Sequence, residues 1–401
     1  MLCCAGRYEQ DWSADYRLYS GRLDQQALFK PIINRAAKMT PENEPIVLCV
    51  DDSLMKKTGR HIQQAGYYRD PLGPAFHTNL IYALRFVQVS MALPDPNYIR
   101  SYRTIPVAGS IIVKAPKDAT DAQREAYTPS TKALELLDQI RQALPEEQSK
   151  RKIVLCGDAH YTTSTLLQRL PENVTYIGRF RKDAALSAPC DQKSTGRGRP
   201  KAYGSDLPMP EELRKDRAVP WKTATIKRGG KNISVRYKRI ARAKWKPAGE
   251  KRTIQVVVLG PLQRGRTVQG QLKYTQPAFL LCTDPDMPIA DLIQTYMIRW
   301  GIEVNFRDEK QLFGIGQAQV RHARRVMVAP LVAIASYAAL LLAGREEFSD
   351  GRKPAHLRTG KWQRRWKHQS YRTSDLRKQL YSEAAMHNID WRSDRTTTST
   401  E

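Results

Sequence analysis

Three carboxylates in this chain could act together if the fold delivered them to one place. Asp51 ends the run IVLCVDDS (Ile46 to Ser53), Asp158 ends KIVLCGDAHY (Lys152 to Tyr161), and Glu303 lies within YMIRWGIEVNFRDEK (Tyr296 to Lys310). Carboxylate oxygens are hard donors, suited to Mg²⁺ or Mn²⁺. Two such ions a few ångströms apart activate a water and stabilise the leaving oxygen of an in-line phosphodiester displacement. The surroundings of Glu303 suit a phosphate. On a helix advancing about 100° per residue, Tyr296, Arg299, Glu303, Arg307 and Lys310 fall within roughly 80° of one another. A solvated helix stitched by Glu–Arg pairs on neighbouring turns would carry the same stripe. The choice between the two rests on what else the chain brings to that glutamate.

The elements that must position these groups are legible in the apolar runs. Ile46 to Val50 and Ile153 to Cys156 are unbroken apolar segments running into aspartates, the pattern of buried strands ending at a polar rim. An aspartate there can also simply open a turn, so one such strand says little; two, followed by a helix with a flanked glutamate, say more. Met297, Ile298, Ile302 and Phe306 fall on other sides of the expected helix and can seat it in a core. His77 to Leu93 alternates apolar and polar residues and suits one or two central strands. Residues 118–148 have helical spacing through Ala133, Leu134, Leu137, Ile140 and Leu144. A helix start follows at Thr162 to Leu170, and another strand at Thr175 to Arg181.

From Lys182 to Pro288 the composition turns Gly/Pro/Lys/Arg-rich and then strand-rich, through TATIKR, ISVRYKRIARAKW, RTIQVVVLG and AFLLCTD. This predicts a β-rich insertion between a core strand and the Tyr296 helix. Within it Arg197-Gly198-Arg199-Pro200 resembles the core of a minor-groove AT-hook, in which Arg197 and Arg199 would lie along a narrow A·T tract; a basic loop against phosphate or solvent is the plainer alternative. The tail is basic and aromatic (GKWQRRWKHQSYR, Gly360 to Arg372), suited to phosphate contact and stacking or to a solvated helix.

Charge narrows the function classes. With 66 Lys+Arg against 40 Asp+Glu, a formal net charge of +26 predicts a polyanionic partner, nucleic acid first. No basic amphipathic anchor supports a membrane surface. Met327 to Ala343 is apolar enough to approach a membrane span, but Pro330, Ser336 and Tyr337 favour a buried core helix. The six cysteines include no C-x-x-C pair, and Cys49 and Cys156 sit in strand-like runs, so neither a disulfide framework nor a zinc site is expected and a reducing compartment fits. A phosphate-binding Gly-rich loop with Lys-Ser/Thr and a nucleophile elbow are both missing, which disfavours nucleotide-hydrolysis and serine-hydrolase chemistry.

The spacing Tyr296-x2-Arg299-x3-Glu303-x6-Lys310 resembles the Y-R-E-K signature of DDE transposases of the insertion-sequence-four-like superfamily. The string RWGIEVNFRDEKQLFGIG is similar to the corresponding helix of the insertion-sequence-701 branch. VDDSLMKKTGR, AGYYRDPLG, GDAHYTTSTLLQRLP and GRGRPKAYG agree with it, so the resemblance covers about residues 10–380. It implies an α/β protein with an RNase H-like core, a mixed sheet flanked by helices, interrupted by a β-rich insertion. The divisions that follow are a helical N-terminal segment (1–44), read as a shortened DNA-binding region, core (45–181), insertion (182–288), core with the catalytic helix (289–345) and basic tail (346–401).

The same resemblance implies cut-and-paste DNA transposition in a cytoplasmic, nucleoid-associated bacterial protein. The enzyme would hydrolyse phosphodiesters at transposon ends, then transfer the 3′-hydroxyl into target DNA. Asp51, Asp158 and Glu303 would be catalytic metal ligands for Mg²⁺ or Mn²⁺, two ions per site. Tyr296, Arg299 and Lys310 would handle the DNA end; Arg307 shares their face without belonging to the signature. The D-x-S pattern selects Asp51, with Ser53 two positions on; Asp52, the alternative first aspartate, points to the other face. Double-stranded DNA and a homodimer on it are the implied partners. A catalytically inactive, transposase-derived DNA-binding protein is the alternative, and a host nuclease with the same core a further one.

Overall fold

The computed structural model describes residues 23–348 apart from 60, 71–72, 75, 96–101, 191–200, 229–230, 267–269 and 271, together with 17, 19 and 371–386. Much of the expected helical N-terminal segment (1–44), the Arg197–Pro200 motif with both its arginines, and most of the basic, aromatic tail therefore lie outside the described residues.

A mixed sheet organises the chain. Its first strand, β1 (Ile46–Lys56), is buried from Ile46 to Val50, partly covered from Asp51 to Leu54, and buried again at Met55. A short strand β2 (Gly66–Arg69) leads to β3 (Leu80–Pro94), and β4 (Tyr102–Ile112) returns beside it. After a helical connection come β5 (Ile153–Gly157) and β6 (Val174–Arg179). Side by side these run β4, β3, β1, β5, β6, with β2 also on β3. β3 is antiparallel to both β1 and β4, whereas β1, β5 and β6 are parallel. Parallel strands buried on both faces need unbroken apolar sequence, and IVLCV and IVLC supply it.

The expected composition change after Arg181 is present as strands, but not as a separate sheet. Two short strands, β7 (Leu186–Pro189) and β8 (Tyr203–Leu207), pair with each other. Then β9 (Lys222–Arg228), β10 (Lys231–Ala243), β11 (Ile254–Leu259) and β14 (Ala278–Cys282) continue the core sheet in the order β6, β14, β11, β10, β9, while β12 (Gln263–Arg266) and β13 (Leu272–Tyr274) form a small ribbon of their own. All the residues of β11 are buried, so IQVVVL behaves as an interior strand of an extended sheet.

Helices flank this sheet. Helix α1 (Gln25–Lys38) is capped by Asp24, whose side chain accepts from the Gln26 backbone N–H. The 118–148 region splits into α2 (Asp121–Glu125) and α3 (Pro129–Ala143), because Pro129 restarts the chain at a first helical position. A short α4 (Ser164–Arg169) follows β5, and a short α5 (Pro210–Lys215) precedes β9.

The expected single helix over Tyr296 to Lys310 is two helices, α6 (Ile289–Ile298) and α7 (Trp300–Leu312), which meet at Arg299. There the backbone bonds tighten to three-residue spacing, from Arg299 N–H to the Tyr296 carbonyl (3.2 Å) and from Ile302 N–H to the Arg299 carbonyl (3.0 Å). Gly301 explains how α7 sits so low on the sheet: a Cβ there would come within 2.5 Å of Thr104 Cγ2 on β4. Ile302 and Phe306 are buried as the apolar pattern requires.

The apolar run Met327 to Ala343 lies in α8 (Ala323–Glu347). Among the described residues this is the helix long and apolar enough to cross a membrane by length and composition, and 61% of its most apolar window is buried against the rest of the fold. The last helix, α9 (Thr373–Met386), is tied back to the core: Thr373 Oγ1 donates to Asp308 Oδ2 (2.7 Å), and Tyr371 Oη donates to the Gly344 carbonyl (3.1 Å).

Candidate active site

The parallel register of β1 and β5 pairs Cys49 with Cys156. Asp51 lies two positions further along β1 and Asp158 one position past the end of β5, near enough for the charge of Asp158 to act on Asp51. Asp158 opens a turn as well, accepting from the His160 backbone N–H at 2.8 Å. Helix α7 lies over the Asp51 face. Arg299, at the joint before it, donates from Nη1 to Asp51 Oδ2 (2.9 Å) and from Nη2 to Glu303 Oε1 (2.8 Å), so one guanidinium spans two of the three carboxylates. Its side chain is 13% exposed and lies 5.9 Å from the Tyr296 ring centroid. Lys310, three turns on, donates from Nζ to Ser53 Oγ (2.6 Å), two residues beyond Asp51.

The electrostatics single out Asp51. Burial pushes its carboxyl up to about 7; the Arg299 cation opposes the rise and the charge of Asp158 adds to it. Burial works against the Arg299 cation too, but Tyr296, Asp51 and Glu303 hold it above the ordinary arginine value. Burial also lowers the Lys310 ammonium and raises the Tyr296 phenol.

Asp52 has a different neighbourhood. Arg85 of β3 binds it through two hydrogen bonds, Nε to Oδ2 (2.8 Å) and Nη2 to Oδ1 (3.1 Å). The buried Tyr161 hydroxyl donates to Oδ1 at 3.3 Å, and Arg85 Nη2 also donates to His160 Nε2 at 2.9 Å. Arg307 parts from the expected stripe: its side chain is 58% exposed and its ion pair is with Asp308. Of the residues singled out from the sequence, then, Asp51, Asp158, Glu303, Tyr296, Arg299 and Lys310 gather around one face, while Asp52 and Arg307 are engaged elsewhere.

Arg85 and Tyr161 were not foreseeable from spacing. Arg85 is one polar residue in a long strand, and only its β-sheet register makes it diagonal to Asp52. Lys57, just past β1, donates to the carbonyls of Gly316 and Ala318 and fastens the segment after α7 to the end of that strand.

Three hard-oxygen donors that include a partly buried aspartate, its carboxyl pushed up by burial, fit a divalent cation in kind: Asp51 gains from any further positive charge. The side chains are not drawn into a closed cage. Among the described residues no three His, Cys, Asp or Glu groups are close enough together to enclose an ion, and Arg299 is the cation that now joins Asp51 to Glu303.

A mixed sheet with this strand order, flanked by helices and carrying one aspartate within β1 and another just past the neighbouring β5, fits the RNase H-like core of a transposase. The family model described as a transposase DDE domain matches residues 127–338. That span is more than half of the chain, and the chain belongs to this family. It is a transposase by domain, which implies DNA as its partner and a family that generally uses divalent metal ions. The matched span contains Asp158 and Glu303 and begins after β1. In a comparison with curated proteins, nothing matches this chain.

Proposed function

We propose that this protein is the transposase of an insertion sequence, and that Asp51, Asp158 and Glu303 are its catalytic carboxylates. The observation carrying this is the Asp51–Arg299–Glu303 bridge, which links an aspartate within β1 to a helix glutamate 252 positions away, with the charge of Asp158 acting on Asp51. In the first step a water oxygen attacks a phosphorus at the element's end. The new P–O bond forms as the bond to the 3′ oxygen breaks, leaving a 3′-hydroxyl and a 5′-phosphate. In the second step that 3′-hydroxyl attacks a target phosphodiester, and the target's own 3′ oxygen leaves. Asp51, Asp158 and Glu303 would hold the divalent ions, Mg²⁺ or Mn²⁺, two per site. Bound there, the ions supply charge stabilisation and a more acidic nucleophile.

The chain's own residues position and exclude. Arg299 and Lys310 flank Glu303 with cations where a DNA phosphate would lie, and Tyr296 offers an aromatic wall whose phenol burial raises above its ordinary value. The basic excess of the chain supports a long DNA contact, with a homodimer pairing two ends. Cleavage of DNA carrying the element's ends tests this. With Mg²⁺ or Mn²⁺, Glu303→Gln should cut more than about 100-fold more slowly than wild type, since even outer-shell changes cost about 10- to 100-fold. Cutting at the wild-type rate would remove Glu303 from the mechanism, whereas salt-sensitive binding of end DNA by wild type with no scission at any metal would favour a DNA-binding protein without catalysis.

A further inference from the structure

Glu309, next to Lys310 on α7, has no part in the site described above, yet it is 0% exposed. Its Oε1 accepts a hydrogen bond from Gln88 Nε2 at 2.9 Å. Its Oε2 and the Oε1 of Gln88 are both buried without a partner. Two unpaired acceptors, one on each member of a bonded pair, are costly if both are bare oxygens. A proton on one of them removes the cost for both.

Gln88 occupies a telling position. It lies directly opposite Asp51 in the β1–β3 ladder, so its side chain shares the Asp51 face of the sheet. Gln88 also reaches Ser90 Oγ (3.3 Å), which uses both hydrogens of its amide nitrogen and leaves its buried oxygen without a partner. The other titratable groups around Glu309 are Asp308 and Lys310 on its own helix and Tyr337 on α8. Asp308 is occupied by Thr373 and Arg307, and the Lys310 ammonium is turned to Ser53.

We propose that Glu309 is a protonated positioning residue whose carboxylic acid closes a two-bond ring with the Gln88 amide, pinning the Glu303-bearing helix to the strand that faces Asp51. In this ring the amide N–H donates to Oε1, and the acid proton on Oε2 donates to the Gln88 oxygen. The clasp adds no negative charge beneath the catalytic carboxylates. Burial, with Asp308 adding and Gln88 and Lys310 opposing, holds the acid up to about 8, so the proton stays in place at neutral pH. The effect on cleavage rests on the transposase function proposed above; the clasp itself does not.

Infrared difference spectroscopy on isotope-labelled full-length protein reads the proton directly. At neutral pH wild type should show a protonated-carboxyl band that is lost in Glu309→Gln and kept in Asp51→Asn. Denaturation gives a second readout. The folded acid titrates above the ordinary glutamate value of 4.5, so its contribution to stability is lost as pH rises from there through about 8. The unfolding midpoint of wild type should therefore fall relative to Glu309→Gln across that window. In cleavage, Glu309→Ala should be about 10- to 100-fold slower and Glu309→Gln should restore the rate. A band unchanged by Glu309→Gln, or parallel pH profiles, would overturn the clasp. Normal cleavage by a folded Glu309→Ala would overturn its positioning role. Wild-type cutting by Glu303→Gln with the band intact would defeat the transposase mechanism and leave the clasp standing.

Discussion

The two faces of β1 receive adjacent carboxylates and treat them differently. Asp52 meets a bidentate guanidinium from Arg85 and a phenol from Tyr161, so its charge is matched within the fold. Asp51 shares the single Arg299 guanidinium with Glu303, lies beside Asp158, and is pushed up to about 7. A charge that is satisfied holds structure together; one left short of cations is available for a ligand. The difference comes from where the arginines stand: Arg85 is fixed on a neighbouring strand, while Arg299 stands at a helix joint and divides itself between two acids.

That contrast can be broken by stability measurements of opposite sign on metal-free protein. Asp52→Asn strands the Arg85 cation and should cost about 2–4 kcal/mol, somewhat below the loss for a fully buried pair because both side chains keep some solvent. Asp51→Asn should do the reverse. The folded pKa of Asp51 lies above its ordinary 3.8, so its contribution to stability is lost as pH rises through about 7. Above that pH the asparagine variant should be more stable than wild type by about 1 kcal/mol. Chemical denaturation curves at pH on either side of the titration would decide it, and equal losses in both variants would erase the distinction between the two faces.

A change at the helix joint sharpens the same comparison. Gly301→Ala places a Cβ against Thr104 on β4 and must lift α7 from the Asp51 face. The gain in helix propensity is smaller than the overpacking, so a net loss of about 1–2 kcal/mol is expected. The Asp52–Arg85 face should be untouched, visible as unchanged Tyr161 signals by NMR while those of Tyr296 shift.

Part of this candidate site was legible in the sequence because its aspartates follow long apolar runs: Asp158 falls just past β5 as read, whereas β1 carries on through Asp51 to Lys56 instead of ending at the aspartates. Asp158 and Glu303 needed only pattern and spacing. The choice of Asp51 over Asp52 came from the D-x-S pattern, with alternation sending Asp52 to the other face, and Arg299 is bonded to Asp51. The break at Arg299 was hidden, since YMIRWGIEV has no proline and its lone glycine is tolerated in a helix; close approach to Thr104 shapes the joint, and that is a tertiary fact. The joining of β14, β11, β10 and β9 to the core sheet was equally hidden. Composition marks Lys182 to Pro288 as different, but strand pairing across such a distance is set by which edge β6 leaves open. Glu309 looked like one more charge beside Lys310, and only its burial against Gln88 sets it apart.

Mn²⁺ binding by titration calorimetry, comparing Asp51→Asn with Asp52→Asn, tests the central claim most directly. If Asp51, Asp158 and Glu303 hold the metal, Asp51→Asn should weaken binding by more than about 100-fold while Asp52→Asn changes it by less than about tenfold. Equal weakening in both, or a larger loss in Asp52→Asn, would contradict the assignment of the Asp51 face as the catalytic one.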